Sequence, residues 1–226
     1  MSPPHLVIAG MPLGNFDDVT VRFLNFGQTA DFIVCESRRV AQTILKKHKI
    51  ERPDQDFLIL NEHTTEEQFQ SLIHQCRQKT NILLVSDAGM PVFCDPGANL
   101  IEIAEAEAWQ ISILAGASAL TLAVVRAGIN RPFYFAGFAP QETKDRKNFL
   151  QDLSRRQETV VLYETGYRTV KLLEELSQLF AKDQKVFVGI DLSSDNEKVF
   201  RFQLSELAKF KSKISKKGAP VIIIEK

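Results

Sequence analysis

The 226-residue chain has no apolar run long enough to cross a bilayer. Its longest, such as the VIII near the end, are strand-length, against the roughly 20 residues a spanning helix needs. Cysteine is scarce: Cys35, Cys76 and Cys94 stand far apart with no C-x-x-C pair, and the four histidines form no H-E-x-x-H. Those absences argue against a disulfide framework and a structural zinc site and for buried thiols, so no metal is expected. Neither sign of charge is in excess. The 28 basic residues cancel the 28 acidic ones, no global field draws the molecule to nucleic acid or an anionic membrane, and any RNA partner must be held by local patches. The stretch "MSPPHLVIAGMP" lacks a basic segment followed by an apolar one, which points to a cytoplasmic rather than a secreted protein. G-x-G-x-x-G and G-K-[ST] are also missing, so neither a Rossmann dinucleotide site nor a Walker loop is supported.

What is present is an ordinary globular composition, 44% hydrophobic and 25% charged, in a chain able to bury one large core or two smaller ones. Short apolar runs alternate with amphipathic segments. "HLVIAG", "DFIVCE", "DFLIL", "NILLVS" and "ISILAG" read as strands, with helical patterns at Val19 to Leu24, Val40 to Lys47, Glu66 to Arg77 and Asn99 to Trp109. That alternation builds a parallel or mixed sheet covered by helices. Thr64, three before Glu67, reads as a capping box ahead of Phe69, Leu72 and Ile73. After "AGASAL" the style changes to a small-residue helix, the aromatic strand "PFYFAGF", a charged helix, "TVVLYE", another helix, "KVFVGIDLS", "KVFRFQL", a lysine-rich helix and "PVIIIEK". Several strands there follow one another without a long helix, so the second sheet is expected to be mixed. The reading is α/β with two α/β domains, residues 1–116 and 117–226.

In open α/β sheets ligands sit beyond the carboxyl ends of strands, so the loops leaving them matter most. "GMPLGN", Gly10 to Asn15, is a tight loop suited to close approach. "CESRR", Cys35 to Arg39, offers Ser37 as an N-cap and Glu36 beside it. "LNEHTTEE" sets Asn61, Glu62 and His63 between a strand and a helix. "LVSDAGMPVFCDPG", Leu84 to Gly97, ends a buried strand in a loop of two aspartates, two prolines and two glycines. Asp95 before Pro96 fits an N-cap with proline at the first helical position. Asp87-Ala88-Gly89 leaves one carboxylate beside accessible backbone, a pattern able to hydrogen-bond an amine or ribose hydroxyls.

With these loops in this order, "PLGN" then "DDVT", "ESRR", "LNEH" with "TEE", "SDAGMP" with "DPG", "GFAP" after an aromatic strand and "LYE" with Arg168 behind it, the chain resembles the tetrapyrrole methylase superfamily, nearest its ribosomal branch. The resemblance covers nearly the whole chain. It implies a cofactor cleft between the two domains, S-adenosylmethionine as cofactor, a homodimer, no metal and no membrane. It further implies ribosomal RNA or the small ribosomal subunit as partner, with methylation of a cytidine 2′-hydroxyl. Carried over motif by motif, Asp87, Ala88, Met90, Val92, Ala117, Ser118, Tyr163 and Ala219 are the cofactor-binding candidates. Glu36, Asn15 and Asn61 are the candidates for handling the ribose hydroxyl and its proton.

The chain departs from the family's pattern at several places. Met11 stands for a threonine, Ser37 for an aspartate, Ala117 for a proline, Gly166 and Tyr167 for proline and histidine, and Ala219 for a glutamate, while "GIDLSSDNEK" lacks a basic and a threonine position. The cofactor loop is intact and the substrate side is altered. Methylation of a corrin or porphyrin precursor, and a catalytically silent homologue that binds RNA or a ribosomal surface, therefore stay open as alternatives. "KFKSKISKK", Lys209 to Lys217, with "LKKHK" and "SRR", supplies basic patches for phosphate contacts or, equally, a solvated face.

Overall fold

The computed structural model describes residues 3–214 and 216–226. The chain divides into two compact units, Met1–Ser118 and Ala119–Lys226.

In the first unit β1 (His5–Ala9), β2 (Phe32–Cys35), β3 (Phe57–Ile59), β4 (Asn81–Leu84) and β5 (Gln110–Leu114) form an all-parallel sheet in the order β3-β2-β4-β1-β5. The helices between them are α1 (Val21–Thr29), α2 (Arg38–Lys47), α3 (Glu66–Cys76) and α4 (Ala98–Ala106). A parallel sheet with helices on both faces must bury both sides of every central strand, which is why its strands read as continuous apolar runs. In β1, Val7 and Ala9 join Phe23 of α1 and Ile44 and Leu45 of α2 in one core. Leu6 and Ile8 join Leu72 of α3 and Leu100 of α4 in the other. The neighbours β2, β4 and β1 thus send their helices to opposite faces in turn. That alternation is the switch-point arrangement beside which open α/β sheets bind their ligands, so the loops leaving the carboxyl ends of these three strands are where a site is expected.

Local chemistry sets the helix starts. Ser37 caps α2 as the sequence indicates, its hydroxyl accepting from Val40 N. The capping box of α3 lies one residue beyond the expected one. Thr65 accepts from Gln68 N and Gln68 answers to Thr65 N, because the Thr64 hydroxyl is engaged with Asn61. Asp95 does not cap α4. The N-cap is Gly97 at φ 120°, with no side-chain cap bond, and its left-handed backbone inserts a turn between Pro96 and the helix.

The second unit holds a mixed sheet in the order β6-β7-β10-β8-β9. Its strands are β6 (Phe133–Phe138), β7 (Thr159–Tyr163), β8 (Lys185–Ile190), β9 (Lys198–Gln203) and β10 (Pro220–Ile224). Only β6 and β7 are parallel; β10 runs antiparallel to both β7 and β8, and β9 antiparallel to β8. α6 (Thr143–Arg155) and α7 (Gly166–Leu179) cover one face around Val160, Leu162 and Ile222. α5 (Ala119–Ala127) covers the other around Val161, Phe187 and Ile223. The lysine-rich helix is reduced to one turn, α8 (Leu207–Phe210), followed by turns. Only Leu207 of that turn is fully buried, which leaves too little apolar face to propagate a helix. Ser215, inside the lysine-rich stretch, lies outside the described residues. Among the described residues no helix is long and apolar enough to cross a membrane.

Candidate functional site

The carboxyl-end loops of the first unit are tied to one another by backbone. Met11 N donates to Gly89 O at 2.8 Å and Gly89 N returns a bond to Met11 O at 3.0 Å, an isolated antiparallel bridge joining the loops after β1 and β4. The loops after β1 and β5 touch through glycine. A Cβ on Gly116 would lie 2.5 Å from Gly10 Cα, a separation no side chain tolerates. Met11 itself turns into the core, 1% exposed, so the thioether that stands for threonine acts as packing. Ala117 closes on the same tip, its carbonyl within 3.7 Å of where a Cβ on Gly89 would stand.

Above this bridge the loops after β2 and β4 clasp each other reciprocally. Asp87 N donates to Glu36 Oε1 at 3.0 Å, and Ser37 N donates to Asp87 Oδ1 at 3.1 Å. Asn61 reaches in from the loop after β3, its Nδ2 donating to Glu36 O at 3.4 Å while its Oδ1 accepts from His63 N. Three of the sequence candidates, Glu36, Asp87 and Asn61, therefore meet. Asn15 does not join them: its Oδ1 caps the turn Phe16–Asp18 through Asp17 N at 3.0 Å. Ala88 is exposed, and Met90 and Val92 are half-buried along the same loop. Val92 and Cys94 hold φ of 71° and 68°, a left-handed conformation that costs a β-branched residue the most.

The carboxyls gathered here resist ionisation. Burial is the largest cause in each case. It raises Glu36 to about 7, helped by the charges of Asp95, Asp87 and Glu62 and opposed by the Asp87 N–H. Asp95 is raised to about 6 by burial and by Asp87, against a hydrogen bond from Ser86. Asp87 is raised by burial and Glu62, against the Ser37 N–H. Among the described residues no basic side chain forms an ion pair with any of the three. Burial likewise pushes the thiols of Cys35 and Cys76 up to about 12, the state of inert core cysteines.

In the second unit Tyr163 ends β7 with its hydroxyl accepting from Leu120 N at 2.8 Å, at the start of α5. Its ring meets Phe135 edge-on at 4.9 Å. Ala219 is exposed, and its N–H donates to Asp191 Oδ1 at 2.9 Å. The preceding Gly218 has no room for a Cβ, which would lie 2.5 Å from that same oxygen. Residue-pattern reasoning missed Glu164 and Arg146. "LYE" is visible in the sequence, but nothing in it says that the carboxyl is 3% exposed, and Arg146 sits in a charged helix where burial at 5% has no local signal.

A two-unit α/β protein with this loop chemistry is an enzyme-type scaffold, and the pattern of the Tetrapyrrole (Corrin/Porphyrin) Methylases matches residues 5–208; the chain belongs to that family. It is similar to the Ribosomal RNA small subunit methyltransferase I of Thermotoga maritima, 32% identical over 202 residues, 89% of each chain. It is also similar to the protein of that name in Leptospira borgpetersenii, 34% identical over 223 residues, 97% of this chain and 87% of the relative. Among solved structures, cobalt precorrin-4 methyltransferase, a cobalamin biosynthetic enzyme, superposes with a TM-score of 0.71 at 20% identity, covering 98% of this chain and 94% of that one. At that identity the likeness is one of fold.

Proposed function

We propose that this chain is an S-adenosylmethionine-dependent methyltransferase of small-subunit ribosomal RNA that methylates the 2′-hydroxyl of a cytidine ribose. The ribosomal substrate is supported by relatives whose similarity runs through most of both chains at 32% and 34% identity. The corrin enzyme shares the fold alone, so a tetrapyrrole substrate has no comparable support.

The observation that carries the cofactor assignment is the carboxyl cluster of Glu36, Asp87 and Asp95, tied together by the Glu36–Asp87–Ser37 hydrogen bonds, raised by burial and neighbouring carboxylates, and without an ion-paired basic side chain among the described residues. Such a set favours a ligand that brings positive charge and hydroxyl donors, and S-adenosylmethionine carries an ammonium, a sulfonium and ribose hydroxyls. The residues present fit it. Asp87 with the Ala88, Met90 and Val92 backbone and side chains binds it in the first unit, and Ala117 and Ser118 extend that surface.

The bound cofactor supplies a methyl group already activated on a sulfonium, so the chain's own work is to align an oxygen and remove its proton. Glu36, with a carboxyl near 7, is poised to accept a proton at neutral pH. Asn61 holds the Glu36 main chain. Asn15, which caps its own turn away from the cluster, has no part in this step. The enzyme is cytoplasmic and works as a homodimer, the half-exposed Phe133 and Phe138 of edge strand β6 supplying apolar contact surface.

Calorimetric titration with S-adenosylmethionine and S-adenosylhomocysteine, on the parent chain and on Asp87→Ala, tests the proposal. Saturable binding that the substitution weakens at least tenfold, together with labelled methyl transfer to small subunits, is the expected result. A folded protein that binds neither compound is instead the silent RNA-binding homologue.

A further inference from the structure

The second unit holds a cavity of about 230 Å³ between the starts of α6 and α7, lined among others by Gln141, Arg146, Glu164, Tyr167, Arg168 and Lys171. Its feature is the Glu164 carboxyl. Oε1 accepts from Thr165 N at 2.8 Å and from the Thr165 hydroxyl at 3.3 Å. Oε2 is buried and is the one such side-chain atom, among the described residues, without a hydrogen-bond donor. Arg168 Nη2 lies 3.2 Å from it, but that nitrogen donates to the carbonyls of Ala139 at 2.6 Å and Pro140 at 3.2 Å. The guanidinium therefore supplies charge without an aligned N–H. A buried acceptor left unanswered is costly, the more so when it is charged, so a native orphan of this kind points to a missing partner.

The other walls say what that partner carries. Arg146 is occupied by Glu175, at 2.8 and 3.1 Å, and by the Pro140 and Gln141 carbonyls, and serves as wall. Lys171 is exposed and has no ion pair among the described residues. Tyr167 is 69% exposed, presenting a flat ring. An occupant thus brings an N–H donor to an acceptor-only carboxylate, negative charge to Lys171 and a planar face to Tyr167. The volume falls below the roughly 300–1,000 Å³ of pockets that engulf a whole ligand; it suits one ring with its sugar and phosphate left outside. An unpaired RNA base has these properties, read by hydrogen bonds at its edge and stacked on aromatics. Carboxylates select the amino-bearing bases.

We propose that this pocket receives one unpaired RNA base bearing an exocyclic amine, its N–H on Glu164 Oε2, its ring against Tyr167 and its phosphate at Lys171. The assignment rests on the reading that the chain acts on RNA.

The test uses the full chain and two labelled pentaribonucleotides, UUCUU and UUUUU, followed by fluorescence anisotropy. The cytidine-bearing strand binds at least about tenfold tighter, the worth of one hydrogen bond to a charged group. Glu164→Gln, whose amide both donates and accepts, brings the two strands within about twofold. Lys171→Ala weakens both equally and flattens the salt dependence. Equal or undetectable binding of the two strands by the parent chain overturns the proposal, as does a preference that survives Glu164→Gln. Should Glu164→Gln not fold, unchanged UUCUU binding in both Tyr167→Ala and Lys171→Ala overturns it as well. Methyl transfer to small subunits is measured alongside. Transfer without base preference leaves the methyltransferase standing and the pocket refuted; preference without transfer does the reverse.

Discussion

Gly166 sets local preference against packing at a single residue. It opens α7, where proline is favoured by its fixed φ and missing N–H. Yet a Cβ there would lie 2.8 Å from both Lys216 O and Lys217 C. Packing wins: Gly166→Pro is expected to destabilise the second unit by about 1–3 kcal/mol, read as a lowered melting temperature, whereas propensity alone predicts a gain. Glu36 makes the other residue-scale prediction. Its folded value near 7 lies above its ordinary 4.5, so the stability that depends on its protonated form is complete below about 4.5 and is lost as pH rises through 7. The unliganded protein should melt at lower temperature at pH 8 than at pH 5, and Glu36→Gln should flatten that slope. Methyl transfer should run the opposite way, rising through pH 7 in the parent and losing that limb in Glu36→Gln. If turnover stays intact in the variant, Glu36 is not the base. Asp87 is legible as a candidate because it stands at a strand tip beside accessible backbone, Glu36 only because its loop matches a motif of the family that the chain resembles. Their mutual clasp is not, since it joins residues 51 apart in sequence, and neither is the part-burial of Asp95, which does not cap α4.

At the scale of elements, the capping box of α3 offers a clean contrast between adjacent threonines. Thr65→Ala removes the cap and should cost about 1 kcal/mol in urea denaturation. Thr64→Ala keeps the cap, gives up only the hydrogen bonding to Asn61, and should cost less. Equal costs would mean that the cap is not the working bond. Sequence pattern located nearly every strand and helix because the first unit's strands are doubly buried and its helices amphipathic, both periodic signals. The miss by one residue at α3, and the collapse of the lysine-rich helix to one turn, share a cause: a hydroxyl's partner and a helix's buried face are tertiary facts. A further tertiary device is Arg52, which lies outside α1 but donates to the carbonyls of Gly27, Gln28 and Ala30 at that helix's end while pairing with Asp56 at 2.6 Å. No spacing rule connects a loop arginine to a helix terminus some two dozen residues before it.

For the whole molecule, zero net charge means that RNA affinity arises from patches. In the lysine-rich stretch Lys209 pairs with Glu206 at 3.0 Å and Lys211 with Glu174 at 3.4 Å, so part of its charge is answered within the protein. Replacing Lys213, Lys216 and Lys217 by glutamine should weaken small-subunit binding and lower the slope of log affinity against log salt by up to about 0.7–0.9 for each phosphate that is no longer neutralised. An unchanged slope would reduce the stretch to a solvated face. The strand order has a consequence of another kind. β10, which follows the other four strands of its sheet in sequence, is the middle one of that sheet, flanked by β7 and β8, whereas all five strands of the first sheet precede residue 115. During vectorial synthesis the first unit can close while the rest is still being translated. The second must wait with two half-built ladders until residues 220–224 clear the exit tunnel, a delay in which those open edges are exposed to chaperones and to neighbouring nascent chains.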